Sequence, residues 1–269
     1  MNDHYRTFFG LKKDPFGTDI SMSEILKTPE LIDIKDRFDY VIRLGAIGLV
    51  TGEVGSGKST ALRYAMEKLH PSEYLTLYIT ASSGSIMEFY RQFVEVLDIH
   101  LSSNSKVIMV RMIKKEITNL ICEKKTKIVL IVDEASLIRL EVFAELHTIC
   151  QFEKDSKPWL PIILAGQNNL IDSLAYRTSQ PLTSRIVAKS HLEGVDLNTM
   201  ESYLKHHLTI AGVDQMLFDP TAVTAVYQGS GGLFRKANHL ARGALIAAAD
   251  QQSAQVNAEH VRLAATEIF

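Results

Sequence analysis

One stretch constrains this chain more than any other: Gly52-Glu53-Val54-Gly55-Ser56-Gly57-Lys58-Ser59-Thr60. It has the pattern G-x-x-x-x-G-K-S, a glycine-rich loop whose backbone N–H groups cradle phosphate oxygens. Residues 46–51 before it are short, apolar and bounded by glycine, as a buried parallel strand should be. Residues 60–69 after it have the composition and spacing of a helix. Strand, loop and helix in that order is the context the pattern needs. Gly52, Gly55 and Gly57 permit backbone conformations closed to other residues. The helix aims its positive dipole end at the same place. Lys58 brings a point charge to the β- and γ-phosphates, and Ser59 brings a hydroxyl ligand for Mg²⁺, with Thr60 beside it. A glycine-rich turn with a surface lysine is the plainer reading, and it leaves the flanking strand and helix unexplained.

The 269 residues suffice for one large domain, or a core domain with a small appendage. Hydrophobic residues make up 46% and charged residues 22%, the balance of an ordinary globular protein. Cys122 and Cys150 are too few for a disulfide framework and lie in no zinc-type cluster, so reduced core thiols and a cytoplasmic setting are expected. The opening Met1-Asn2-Asp3-His4-Tyr5-Arg6 lacks the layout of a signal peptide, and no apolar run is long enough to span a membrane. A formal net charge of −2 argues against a chain that sticks constitutively to nucleic acid, but leaves room for a local basic stripe.

Phe8-Phe9-Gly10-Leu11 and Asp14-Pro15-Phe16-Gly17 are apolar anchors between turn residues. They read as a strap packed on a core rather than as an element, with a wall of a base pocket as the functional alternative. A helix is expected over 28–44, with Pro29 at its first position and Leu31, Ile34, Phe38, Val41 and Ile42 on one face. Leu75 to Ile79 is a second strand, Ile86 to Leu97 a helix, Ser102 to Ser105 a polar loop and Lys106 to Cys122 a further helix. Ile128-Val129-Leu130-Ile131-Val132-Asp133-Glu134 is a buried strand ending in two carboxylates, at the edge where open parallel sheets bind ligands. Asp133 is placed to hold Mg²⁺ and Glu134 to polarise a water. Strands at 160–167, ending in Gln167, and at 186–192 complete a five-stranded parallel sheet between helices. Helices at 197–211, 220–228, 234–250 and 257–268 follow without a strand. The expected organisation is an α/β nucleotide-binding domain over 1–195 carrying the strap, and a small all-α lid over 196–269.

The set Phe8-Phe9-Gly10-Leu11 through Pro15-Phe16, residues 51–59, Val132-Asp133-Glu134, Leu164-Ala165-Gly166-Gln167 and Gly232-Leu233-Phe234-Arg235 resembles the AAA+ ATPases. It is particularly similar to the branch holding ExeA-type secretion ATPases and transposition helper ATPases of the TniB, TnsC and IstB kind. The resemblance implies ATP and Mg²⁺ as cofactors. It puts Gln167 at the first sensor position and Arg235 at the second, although Phe234 stands where the family often has proline. Leu182-Thr183-Ser184-Arg185 resembles the Leu-x-Ser-Arg stretch of initiator-type members, suggesting Arg185 as an arginine finger, with Arg177 as its rival. For transposition helpers the resemblance implies assembly into a ring or helical filament, sequence-nonspecific binding of double-stranded DNA, and recruitment of a transposase. Ser82, Ser83, Ser85, Lys106, Arg111, Lys114 and Lys115 are then the candidate phosphate contacts, against a plain reading as a solvated helix face. ExeA-type proteins continue into a transmembrane helix and a wall-binding domain. Because this sequence stops at Phe269, the expectation leans to the DNA-associated branch without a membrane, with secretion or envelope assembly as the alternative.

Overall fold

The computed structural model describes residues 4–17, 19–101 and 103–268. Met1 to Asp3 and Ser102, where the polar loop of 102–105 begins, lie outside them. In chain order the elements are α1 (His4–Phe9), α2 (Pro29–Leu44), β1 (Ile47–Gly52), α3 (Lys58–Glu67), β2 (Tyr74–Thr80), α4 (Ile86–Val96), α5 (Lys106–Cys122), β3 (Lys127–Asp133), α6 (Leu140–Ile149), β4 (Ile162–Gly166), α7 (Asn169–Ala175), α8 (Gln180–Thr183), β5 (Ile186–Leu192), α9 (Leu197–Ile210), α10 (Pro220–Ser230), α11 (Phe234–Asp250) and α12 (Ala258–Ile268). They form two compact units, one of residues 29–52 and 58–192, the other of residues 4–28, 53–57 and 193–268.

The first unit is a parallel sheet in the order β2-β3-β4-β1-β5. β1 is buried along its whole length and β3 is exposed only at Lys127, because helices cover both sheet faces. Edge strand β5 alternates exposure and Arg37 of α2 donates to the Lys189 carbonyl there, which blunts the open edge. Phe89, Phe93, Ile113, Ile117, Phe143 and Leu146 from α4, α5 and α6 pack on the sheet with Leu130 and Leu164. β4 is shorter than the apolar run from 160 suggests: Pro161 lacks an N–H to donate, and its carbonyl only receives Leu130 N–H at 3.0 Å. No sequence signal identified α6, α7 or α8 individually, and two of these helices are only seven and four residues long.

The second unit is helical. Alanines of α11 (Ala237, Ala241, Ala244, Ala248) bring it close to α10 and α12, with Leu204, Leu208 and Phe218 filling the remaining space. The N-terminal segment corrects the strap expectation in one respect: residues 4–9 form a one-and-a-half-turn helix that buries Tyr5. The rest of it does pack as anchors. Phe16 is fully buried, Leu11 is buried, and Arg242 of α11 holds the segment through the Phe16 carbonyl (2.6 Å) and the Asp14 carboxylate (3.3 Å). This packing groups residues 4–28 with the helices rather than with the sheet.

Candidate nucleotide site

Three side chains of the α/β unit meet at the carboxyl ends of β1 and β3. Lys58, the first residue of α3, is buried, and its ammonium donates to the Gly52 carbonyl at 3.0 Å. Ser59 Oγ donates to Asp133 Oδ2 at 2.8 Å. Asp133 is itself buried, and its other oxygen accepts the Glu134 backbone N–H at 2.9 Å. A buried cation and a buried carboxylate persist only where hydrogen bonds compensate lost water, and here each has them. Thr60 is exposed beside Ser59.

Glu134 takes the left-handed conformation (φ 53°, ψ 31°), which costs a residue with a Cβ about 1–3 kcal/mol. The Asp133 carboxylate bond to its N–H and the bond from Leu137 N–H to its carbonyl (2.9 Å) hold the turn. Gln167 follows β4 half-buried, and its carbonyl receives Leu170 N–H at 3.0 Å. Gly166 just before it has no room for a side chain: a Cβ there would lie 2.8 Å from the backbone nitrogen of Ser136. At the end of β1, buried Thr51 shares a hydrogen bond of 2.9 Å with His191 Nδ1 on β5.

Sequence reasoning missed Tyr78. Its phenol donates to Asp133 Oδ2 at 2.5 Å, so this oxygen receives two hydroxyls. Burial first, and then the carboxylate, push the phenol well above the usual tyrosine range, so it stays a donor. The run Leu75 to Ile79 reads simply as a strand, and only the β2–β3 register, with Thr80 opposite Asp133, reveals the contact.

The loop tip, residues 53–57, groups with the helical unit. Gly55 and Gly57 have φ of 86° and 100°, a region that disfavours side chains. The Arg235 N–H at the start of α11 donates to the Gly55 carbonyl at 3.3 Å, and a Cβ on Gly55 would meet the Arg235 Cβ at 2.7 Å. Phe234 lies against Gly57 and packs at a tilt on Tyr203 with ring centres 4.5 Å apart. The Arg235 side chain is exposed, as are Glu53 and Val54. Ser56 Oγ is buried without a hydrogen-bond partner among the described residues.

These residues fit a magnesium nucleotide. Ser59 and Asp133 are hard oxygen donors of the kind Mg²⁺ takes in ones and twos alongside phosphate. The orphaned Ser56 hydroxyl and the glycine backbone are what a phosphate cradle requires.

Arg185 is not among these groups. It precedes β5, at the amino edge of the sheet, whereas Lys58 and Asp133 lie at the carboxyl edge. Asp155 grips its guanidinium through both carboxylate oxygens at 2.6 and 2.5 Å, and its Nε donates to His147 Nδ1 at 3.3 Å. The arginine holds the Asp155 carboxyl below the usual carboxylate range. Arg177 is exposed in the turn before α8.

The candidate DNA residues are partly engaged within the chain. Lys106 pairs with Glu145 at 2.5 Å, the Ser83 carbonyl receives Arg139, and Ser85 caps α4. Lys114 donates to the carbonyls of Thr148 and Gln151, while Arg111 and Lys115 are exposed on α5.

Comparison with known proteins bears on the domain and the fold. Residues 42–174 match a family described as AAA domain. The chain is 28% identical over 267 residues to General secretion pathway protein A of Aeromonas hydrophila, covering 98% of this chain and 48% of that protein. It therefore spans about half the length of that relative. Among solved structures it is similar to Cdc6p of Pyrobaculum aerophilum, with a TM-score of 0.73 at 14% identity over 96% of this chain and 72% of the other. It is also similar to the ORC1 protein of Aeropyrum pernix in complex with DNA, with a TM-score of 0.70 at 16% identity over 94% and 68%. Both are likenesses of fold. No helix among the described residues is long and apolar enough to cross a membrane. Residues 42–174 thus match an AAA domain, and the fold, a five-stranded parallel sheet between helices, is the one seen in Cdc6p and the ORC proteins.

Proposed function

We propose that this chain is the ATPase portion of a secretion or envelope-assembly machine of the ExeA type, switching between assemblies as it binds and hydrolyses ATP. The observation that carries this reading is the 28% identity to General secretion pathway protein A, which runs through 98% of the chain and so includes the strap and the helical unit. It displaces the transposition reading as the first choice, because that reading leaned on where the sequence stops.

In the proposed mechanism Lys58 and the loop N–H groups bind the phosphates, and Ser59 and Asp133 hold the Mg²⁺ shell. Bound Mg²⁺ supplies charge neutralisation at the phosphate oxygens. Glu134 accepts a proton from the attacking water, and Gln167 orients that water. Arg235 takes the second sensor role that the resemblance implies. Arg185, released from Asp155, is offered to the nucleotide of a neighbouring subunit in a ring or filament. Glu134→Gln should cut ATP turnover by about 10²–10⁴-fold while ATP binding stays within twofold. Unchanged turnover in a steady-state phosphate assay would remove Glu134 from the base role.

The biological role is tested in the host cell. Deleting the gene should block export or envelope assembly and leave transposon insertion frequency alone. The reverse phenotype supports the second reading, an ATP-dependent transposition helper that binds double-stranded DNA and a transposase in the cytoplasm. Its favouring observation is the fold likeness to the ORC1 protein in complex with DNA. That reading requires ATP-dependent binding to unrelated duplexes that weakens steeply and equally with salt. Absence of such binding at low salt retires it.

A further inference from the structure

β2 lies beside β3 in parallel register, with Thr80 opposite Asp133 and Tyr78 opposite Ile131. Side chains two apart on a strand share a face, so Tyr78 lies on the face of Asp133, one step toward the strand start. The tyrosine ring is long enough to span that step, and its hydroxyl ends 2.5 Å from Asp133 Oδ2. Any apolar residue would cover this half-buried part of the sheet, so the hydroxyl is what needs explaining.

The Asp133 carboxylate has room for about four hydrogen bonds. Tyr78 and Ser59 fill two on Oδ2, and the Glu134 backbone N–H fills one on Oδ1. Ser59 is an exposed residue on a helix and Glu134 sits in a left-handed turn, so both stand on elements that bear directly on the nucleotide. Tyr78 is the one donor of the three anchored in a sheet strand, whose backbone is bonded along its length to β3. Outer partners of this kind set ligand orientation, and losing one costs about 10–100-fold in metal affinity.

We propose that Tyr78 is a positioning residue for the metal-binding carboxylate, fixing Asp133 so that it receives Mg²⁺ without reorienting. The proposal rests on the reading of Ser59 and Asp133 as the Mg²⁺ shell, and the test separates the two. Binding of a fluorescent ATP analogue is followed while Mg²⁺ is titrated, in the wild type, in Tyr78→Phe and in a Tyr74→Phe control. Tyr74 is on the same strand, at its start, with its hydroxyl near Lys127.

The Mg²⁺ concentration at half-signal should rise about 10-fold in Tyr78→Phe. It should stay put in Tyr74→Phe, and analogue affinity in EDTA should be equal in all three. An unchanged midpoint in Tyr78→Phe overturns the inference alone. A wild type with no Mg²⁺-dependent step overturns the reading of the site and the inference with it. Should Tyr78→Phe fold poorly, 3-fluorotyrosine placed at position 78 keeps the hydroxyl and reports by ¹⁹F resonance. Its signal should move when Mg²⁺ is added to the ATP-loaded protein, and a stationary signal overturns the proposal.

Discussion

The strand ends of the α/β unit and the helices α9 to α12 bury polar side chains in opposite ways. In the α/β unit Thr51, Lys58, Asp133 and Ser190 are buried around the carboxyl ends of the strands. Two of them carry charge, and among their partners are a backbone carbonyl and two hydroxyls that a ligand can recruit. In the helical unit His207, Ser230 and His260 are buried, and each closes a local bond. His207 Nδ1 meets the Pro15 carbonyl, Ser230 Oγ bonds the Tyr227 carbonyl, and His260 lies between Asn257 N–H and the Gln251 amide. Burial held open for a ligand marks a site, whereas burial closed on the backbone marks a fastening. The presence of a buried ionisable group does not separate the two; the nature of its partners does.

Substitutions should divide along that line. The effect on ligand binding comes first. Lys58→Ala removes a charged donor worth about 1.5–3 kcal/mol, so ATP affinity should fall roughly 10–100-fold. The stabilisation that ATP gives in a thermal melt should shrink accordingly. Next comes His207→Ala, which empties a space between Phe16 and Tyr203 and strands the Pro15 carbonyl. It should cost about 2–4 kcal/mol in a denaturant titration and leave ATP affinity of the folded protein unchanged. A loss of ATP affinity there would break the comparison.

The same histidine gives a pH dependence. Burial pushes His207 down to about 4, with the Pro15 carbonyl opposing the shift and neighbouring His206 assisting it. The unfolded chain takes up this proton near pH 6.5, well before the folded one. The contribution of neutral His207 is therefore complete above about pH 6.5 and is lost as pH falls toward 4, to a limit of about 3 kcal/mol. Melting curves across that window should flatten in His207→Gln relative to the wild type. The smallest effect belongs to Asp155→Asn, which breaks an exposed pair with Arg185. Its melting temperature should move by less than about 2 °C, as for other exposed ion pairs. A larger drop would mean that Arg185 is a fastening rather than a group held in reserve.

The sequence made the frame visible where the signal is local. The apolar runs of β1 and β3, the glycine loop and the paired carboxylates at 133 and 134 each occupy a few consecutive residues. In the structure Asp196 and Asp219 cap α9 and α10, accepting the N–H groups of Thr199 and Ala222. What stayed hidden depends on distant pairing. Tyr78 reaches Asp133 only through the register of two strands 55 residues apart. Asp155 meets Arg185 across 30 residues, from a turn in which Glu153, Lys154 and Asp155 all have positive φ without a glycine to signal it. Residues 4–28 carry anchors whose destination, the helical unit, is written in Arg242 and His207 more than 180 positions later.

Gly166 has a consequence that reaches past packing. Its backbone is not in the positive-φ region, so conformation alone would tolerate alanine. Space would not, since the first carbon of any side chain meets the nitrogen of Ser136, two residues beyond the left-handed Glu134. One methyl group at the end of β4 would therefore press on the turn that holds Glu134, 32 positions away in the chain.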